Sequence, residues 1–271
     1  MSKIIAIANQ KGGVGKTTTC MNVASFAALM GKKVLAVDID PQGNCSTGLG
    51  IDKSNLKASV YTVLAGETDP KDAIVPTVVE GLDIIPSNID LAGAEVELVA
   101  VEEREQVLKK ALNSLRNDYD YIFIDCPPSL GLLTVNALAS ADSILIPIQG
   151  EFFALEGLSQ LLNTIKLAKK FLNPSLSIEG VVLTMYDGRS KLVQSVADEI
   201  LKFFGNKVFA TKIPRNVRLG ESPSFGLPIA FYEPRSMGAI AYKSLTEELF
   251  IRNKEEYEKI EDMTKLISKK R

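Results

Sequence analysis

The stretch that decides the fold is Asn9-Gln10-Lys11-Gly12-Gly13-Val14-Gly15-Lys16-Thr17-Thr18. Before it runs Ile4-Ile5-Ala6-Ile7-Ala8, a short apolar segment that reads as a buried strand. Behind it, Val23, Ala24, Phe26, Ala27 and Met30 fall at helical spacing, so Thr17 to Met30 reads as a helix. Strand, glycine-rich turn, helix is the setting of a phosphate-binding loop. The glycines let backbone N–H groups close around phosphate oxygens, and the helix aims its positive end at the same point. Lys16 adds a cation for the outer phosphates, and the Thr17 hydroxyl can hold magnesium.

Working outward, β–α alternation continues to the far end of the chain. Val34 to Asp38, Leu82 to Pro86, Tyr121 to Asp125, Ser143 to Ile148, Ile178 to Met185 and Val208 to Ile213 read as strands. Helices are expected at Val60–Leu64, Pro70–Ile74, Gly93–Leu115, Ala154–Leu172, Lys191–Phe204 and Ser244–Leu266. Such alternation predicts one α/β domain, a mostly parallel twisted sheet with helices on both faces. Residues 1–250 are expected to make the phosphate-loop domain and 251–271 a helical extension of it.

Composition narrows the function. At 271 residues, 46% hydrophobic and 24% charged, the chain has the make-up of a globular protein with a sizeable core. No apolar run approaches the ~20 residues of a membrane span and no secretory leader precedes the loop, so a cytoplasmic location is expected. The absence of histidine removes Ser-His and Cys-His catalysis and histidine metal sites. Cys20, Cys45 and Cys126 form no CxxC pair, which argues against a zinc site.

Phosphoryl transfer to water needs a metal, a positioned water and positive charge on the leaving oxygens. Asp125 closes the apolar strand Ile122-Phe123-Ile124 and is placed to hold magnesium, directly or through water. Asp40, in the strand-end loop Asp38-Ile39-Asp40-Pro41-Gln42-Gly43-Asn44, is the candidate to orient the attacking water and to share the metal site. Asp38, deeper in the strand, is expected to support it.

Glycine is expected at position 10 in the general loop pattern, where this chain has Gln10 followed by Lys11. Lys11-Gly12-Gly13-Val14-Gly15-Lys16-Thr17-Thr18 resembles the deviant Walker A loop of MinD/ParA-class ATPases. Leu91-Ala92-Gly93-Ala94-Glu95, Cys126-Pro127-Pro128-Ser129-Leu130-Gly131, Ala154-Leu155-Glu156-Gly157-Leu158 and Pro214-Arg215-Asn216-Val217-Arg218 extend the likeness to the Soj/ParA chromosome-partitioning ATPases. The resemblance implies that ATP or ADP with magnesium is bound by Lys11 to Thr18, and that Lys11 reaches the nucleotide of a partner in an ATP-bound homodimer. It further implies that Pro214 and Asn216 frame the adenine, and that Arg189 and Arg218 bind double-stranded DNA without sequence preference. A ParB/Spo0J-like centromere-binding partner would stimulate hydrolysis, and the protein would be nucleoid-associated.

Tyr186 to Arg218 holds seven basic residues against three acidic ones, a basic stripe on a chain of net charge −2 that suits phosphate-backbone binding. Because the loop begins at residue 9, the N-terminal helix-turn-helix domain of larger plasmid ParA proteins is not expected, nor is operator-specific repression. Two other readings are open. A MinD-like membrane-cycling ATPase would use the C-terminal tail as an anchor, but residues 252–271 carry seven basic against five acidic residues, the pattern of a solvated face. An iron–sulfur protein would need paired cysteines, and only Cys126 lies beside a nucleotide motif.

Overall fold

The structure is a computed structural model that describes residues 1–151 and 154–265, without the side chains of 154–157. Seven strands form one sheet: β1 (Lys3–Ile7), β2 (Val34–Asp38), β3 (Val75–Pro76), β4 (Leu82–Ile85), β5 (Tyr121–Asp125), β6 (Ser143–Gln149) and β7 (Ser177–Thr184). Their order is β3-β4-β2-β5-β1-β6-β7, and every pairing is parallel except the antiparallel edge β3. The helices are α1 (Lys16–Leu29), α2 (Asn44–Gly48), α3 (Val60–Leu64), α4 (Leu91–Glu97), α5 (Val107–Asn113), α6 (Leu132–Ser140), α7 (Ala154–Phe171), α8 (Lys191–Phe204), α9 (Val217–Glu221), α10 (Ile229–Tyr232) and α11 (Met237–Asn253).

Strands buried on both faces carry near-continuous apolar runs. In β1, Ile5 and Ile7 face one core with Phe26, Phe123 and Tyr242, whereas Ile4 and Ala6 face the other with Leu133, Ile144 and Leu161. The two cores are the two faces of the sheet. β1, flanked by β5 and β6, lies near the middle, and the loop it feeds opens at the carboxyl ends of the strands.

Four expected elements differ. The helix expected over Gly93–Leu115 is two short helices joined by 3₁₀ turns, with Glu103 in the left-handed region at φ 54°. Pro70–Ile74 is a turn, where the Asp69 carboxylate accepts the Lys71 N–H at 2.9 Å. Val208–Ile213 is not a regular strand: it meets β7 at one isolated bridge, Val208 with Val181, and through the Phe209 and Ile213 N–H groups, which donate to the Val181 and Leu183 carbonyls at 2.8 Å. Side chains take other backbone groups of the stretch: Glu248 accepts the Ala210 and Thr211 N–H groups at 2.8 and 2.9 Å, and Arg252 donates to the Val208 carbonyl at 2.7 Å.

The last helix starts earlier than expected, because the Ser236 hydroxyl caps it through the Ala239 N–H. It stops at Asn253, where Lys254 turns left-handed at φ 57°. Residues beyond it run back along the body: the Glu258 N–H donates to the Met30 carbonyl at 3.0 Å and Glu255 pairs with Lys32. The basic end, Lys269-Lys270-Arg271, lies outside the described residues. No described helix is long and apolar enough to cross a membrane.

Candidate nucleotide-binding site

Between β1 and α1 the chain makes a tight loop whose last residue, Gly15, caps the helix at φ 87°, a conformation that a side chain would strain. Asn9 braces the loop from below: its amide donates to the Pro147 carbonyl at 2.7 Å and its oxygen accepts the Lys11 N–H at 3.1 Å. The Lys16 ammonium bends back over the loop to donate to the Lys11 carbonyl at 3.0 Å, and the residue is only 6% exposed. Burial pushes Lys16 below the ordinary lysine range, opposed most strongly by Asp125.

Parallel pairing of β2 with β5 sets Asp38 opposite Asp125 at the strand ends. Asp38 is fully buried and well supported. One of its oxygens accepts the Ser46 N–H at 2.8 Å and the Ser46 hydroxyl at 2.7 Å, and the other accepts the Asp40 N–H at 3.2 Å. Burial raises it to about 6 against those hydrogen bonds. Asp40, 8% exposed, lies in the loop beyond. The Ser87 hydroxyl holds the Asp40 carbonyl at 2.7 Å, and its own N–H donates to the Ser46 hydroxyl. Gly43 has to be glycine here: φ is 60°, and a Cβ would stand 2.8 Å from the Ser87 carbonyl oxygen.

Asp125 differs from Asp38. Burial, then the charge of Asp38, holds its carboxyl well above the usual range. The Thr17 hydroxyl lies close enough to favour the charged form, yet neither carboxylate oxygen completes a hydrogen bond of normal geometry among the described residues. A buried carboxylate without a partner costs ~1–3 kcal/mol or more, so this one is poised for an incoming group. Oxygens from Asp125, Thr17 and Asp40 are the hard donors that a magnesium-like cation takes, with phosphate oxygens and water completing its shell. The donor set fits that ion.

Beside Gly15 and Thr18 opens a cavity of about 320 Å³, lined also by Thr184, Met185, Pro214, Asn216 and Tyr242. It is largely apolar, of a size for a base, and adjoins the phosphate loop directly. Asn216 uses its side-chain oxygen to cap α9, accepting the Arg218 N–H at 2.9 Å.

Of the residues singled out from sequence, Gly12 to Thr18, Asp40, Asp125, Pro214 and Asn216 come together in this one place. Lys11 stands at the mouth of the loop, where its ammonium pairs with Glu151 of its own chain. Arg189 and Arg218 lie apart on the rim. Both are exposed, and each is held by an acid, Asp187 and Glu221 respectively, at 2.8 Å. The three cysteines are buried free thiols, Cys126 included. Sequence reading missed Ser87, Thr184 and Met185. The available signal was a polar residue closing an apolar strand at the carboxyl edge of the sheet, as in Val181-Val182-Leu183-Thr184.

A phosphate loop in front of two strand-end aspartates, with a base-sized cavity alongside, defines a P-loop nucleotide-binding protein. A family model described as "AAA domain" matches residues 2–178. The chain is 57% identical to the sporulation initiation inhibitor protein Soj of Bacillus subtilis, over 92% of this chain and 98% of that one. It is 50% identical to the chromosome partitioning protein ParA of Caulobacter vibrioides, covering 93% of this chain and 96% of the other. Among solved structures, cobyrinic acid a,c-diamide synthase from Mycobacterium smegmatis, with bound ADP and magnesium, superimposes with a TM-score of 0.82 at 38% identity. That match covers 97% of this chain and 100% of that one. The chain belongs to the Soj/ParA family of chromosome-partitioning ATPases.

Proposed function

We propose that the protein is an ATP-driven switch of chromosome or plasmid partitioning, which binds ATP with magnesium, dimerises, grips DNA without sequence preference and releases it after hydrolysis. The observation that carries this reading is the buried Asp125 carboxylate beside Lys16, directly behind the phosphate loop and without a hydrogen bond of normal geometry among the described residues. Backbone N–H groups of Gly12 to Gly15 cradle the phosphates, and Lys16 neutralises the outer ones. Thr17 and Asp125, with Asp40, hold the magnesium, which when bound supplies positive charge to the phosphate oxygens. Asp40 orients the attacking water. Pro214 and Asn216 frame the adenine at the cavity beside Gly15 and Thr18.

In the ATP-bound dimer Lys11 leaves Glu151 and crosses to the partner's phosphates, an exposed ion pair exchanged for a charge-assisted contact. Arg189 and Arg218 are then presented twice per dimer, so that the contacts to the DNA backbone reinforce one another. A ParB-like protein accelerates hydrolysis, and the cycle returns the protein from the nucleoid to the cytoplasm.

The test is size-exclusion chromatography and gel-shift on unrelated duplexes, with ATP and magnesium. Wild type is expected to elute as a dimer and to shift all duplexes alike, with a steep salt dependence. Lys11→Ala is expected to bind ATP as a monomer and to shift none. A dimer persisting in Lys11→Ala would confine Lys11 to its own subunit. Retention on lipid vesicles in place of DNA would instead favour a MinD-like membrane cycle.

A further inference from the structure

We propose that Thr184 is a positioning residue for the phosphate loop, its hydroxyl fixing the direction in which the Gly15 N–H points. The inference rests on the reading of this site as a nucleotide site and assigns a role to a strand that the loop motif does not contain.

β7 is not a sheet neighbour of β1, for β6 lies between them. The loop arches over the end of β6 to reach the last residue of β7. There the Thr184 hydroxyl donates to the Val14 carbonyl at 2.8 Å, across 170 residues of sequence. Thr184 is 2% exposed and Val14 1%, so water does not compete for either group. The peptide joining Val14 to Gly15 is trans, and in a trans peptide the C=O and N–H point in opposite directions. Pinning the Val14 carbonyl toward β7 therefore turns the Gly15 N–H the other way, toward the mouth of the loop, where a phosphate oxygen would be met. The methyl side of Thr184 adds a wall: its Cγ2 lies 3.8 Å from where a Gly15 Cβ would stand.

Thr184 also joins the two halves of the site. Met185, the next residue, adopts the left-handed region at φ 48° and lines the base cavity. One residue further, the Tyr186 N–H donates to the Ile213 carbonyl at 2.9 Å, which holds the segment leading to Pro214 and Asn216. The phosphate loop and the base cavity are thus both referred to the end of one strand, and the hydroxyl is its bond to the loop.

The experiment measures binding of ATP and of inorganic triphosphate, which has no base, to wild type, Thr184→Val and Thr184→Ser, together with KM and kcat for ATP. Valine keeps the shape and loses the donor, while serine keeps the donor. Thr184→Val is expected to weaken both ligands about tenfold, as the loss of one buried hydrogen bond implies. The change should fall on KM more than on kcat, and Thr184→Ser should stay within about twofold of wild type.

Thr184→Val binding within about twofold of wild type would overturn the proposal. So would a serine variant as weak as the valine one, which would make shape the cause. A loss for ATP with none for triphosphate would also overturn it, by placing the effect in the base cavity. If Thr184→Val does not fold, Thr184→Ala set against Thr184→Ser isolates the hydroxyl, and equal affinities in that pair overturn the role. Wild type binding neither ligand would overturn the nucleotide reading itself, before any variant is made.

Discussion

Lys16 and Arg189 are both cations set near a carboxylate, and the molecule treats them in opposite ways. Lys16 is 6% exposed and faces Asp125, whose oxygens have no hydrogen-bond partner among the described residues. The Arg189 side chain is 90% exposed and grips Asp187 through two bonds, at 2.9 and 2.8 Å. In the floor of the site, charges out of water are costly unless matched, and the unmatched acid gives the site a reason to take up a ligand. On the rim each cation already has its counter-charge, in an exposed pair that solvent screens to little net value. A floor of this kind commits; a rim of this kind can exchange.

The largest effect should come from the floor. Asp40→Ala is expected to lower ATP turnover by about 10³, since a group that positions water acts chiefly in the chemical step. ATP binding survives, so chromatography with ATP should show a trapped dimer; normal turnover would reduce Asp40 to a structural role. Next comes Lys16→Ala. Losing a charge-assisted contact on the outer phosphates should weaken ATP about 100-fold by calorimetry, and affinity within a few-fold of wild type would overturn the phosphate-loop assignment.

Rim variants should leave nucleotide binding alone. Arg189→Glu or Arg218→Glu is expected to weaken DNA binding about tenfold or more on every duplex and to reduce the salt slope, with the ATP-dependent dimer intact. Unchanged gel shifts would detach both arginines from DNA. The smallest effect tests the pairing itself. Hydrogen bonds from Arg189 hold Asp187 down at about 2, so this carboxylate stays charged, and the pair closed, until the pH falls through that value. Competition by phosphates, not titration, must open it at neutral pH. Asp187→Asn should therefore raise DNA affinity about two- to fivefold at low salt and make no difference at high salt. A fall in affinity would mean that Asp187 orients Arg189 for DNA instead of restraining it.

The same contrast governs what could be read from sequence. The phosphate loop, Asp125 and the short helix at Val60–Leu64 were legible because each sits where an apolar pattern meets a local signal. The stretch after Gly93 was not. Val96, Val99 and Val101 are exposed, so apolar spacing there did not report a buried face. The chain is held instead by side chain to backbone bonds, Arg104 to the Val99 carbonyl and Asn136 to the Arg104 carbonyl. Val208–Ile213 reads as a strand for the converse reason: its composition suits one and its Phe209 and Ile213 N–H groups do bond to β7, but Glu248 and Arg252 take the Ala210, Thr211 and Val208 groups that a continuous ladder would have used. Contacts made by residues distant in sequence leave no local trace. Thr184, whose partner is 170 residues away, is the sharpest case.

Strand order has a consequence for how the protein is made. β1 emerges first, yet its sheet partners are β5 and β6, which begin at Tyr121 and Ser143, and its loop is tied to the end of β7. At ~5–20 residues per second, synthesis from residue 3 to residue 184 takes roughly 10–40 s. Until Tyr121 is reached the nascent chain carries a complete phosphate-loop sequence with neither of the strands that must flank it, and until Thr184 it lacks the residue that ties the loop down. Closing such long loops late also slows folding. Nucleotide can therefore reward the chain only after about two-thirds of its 271 residues have been made.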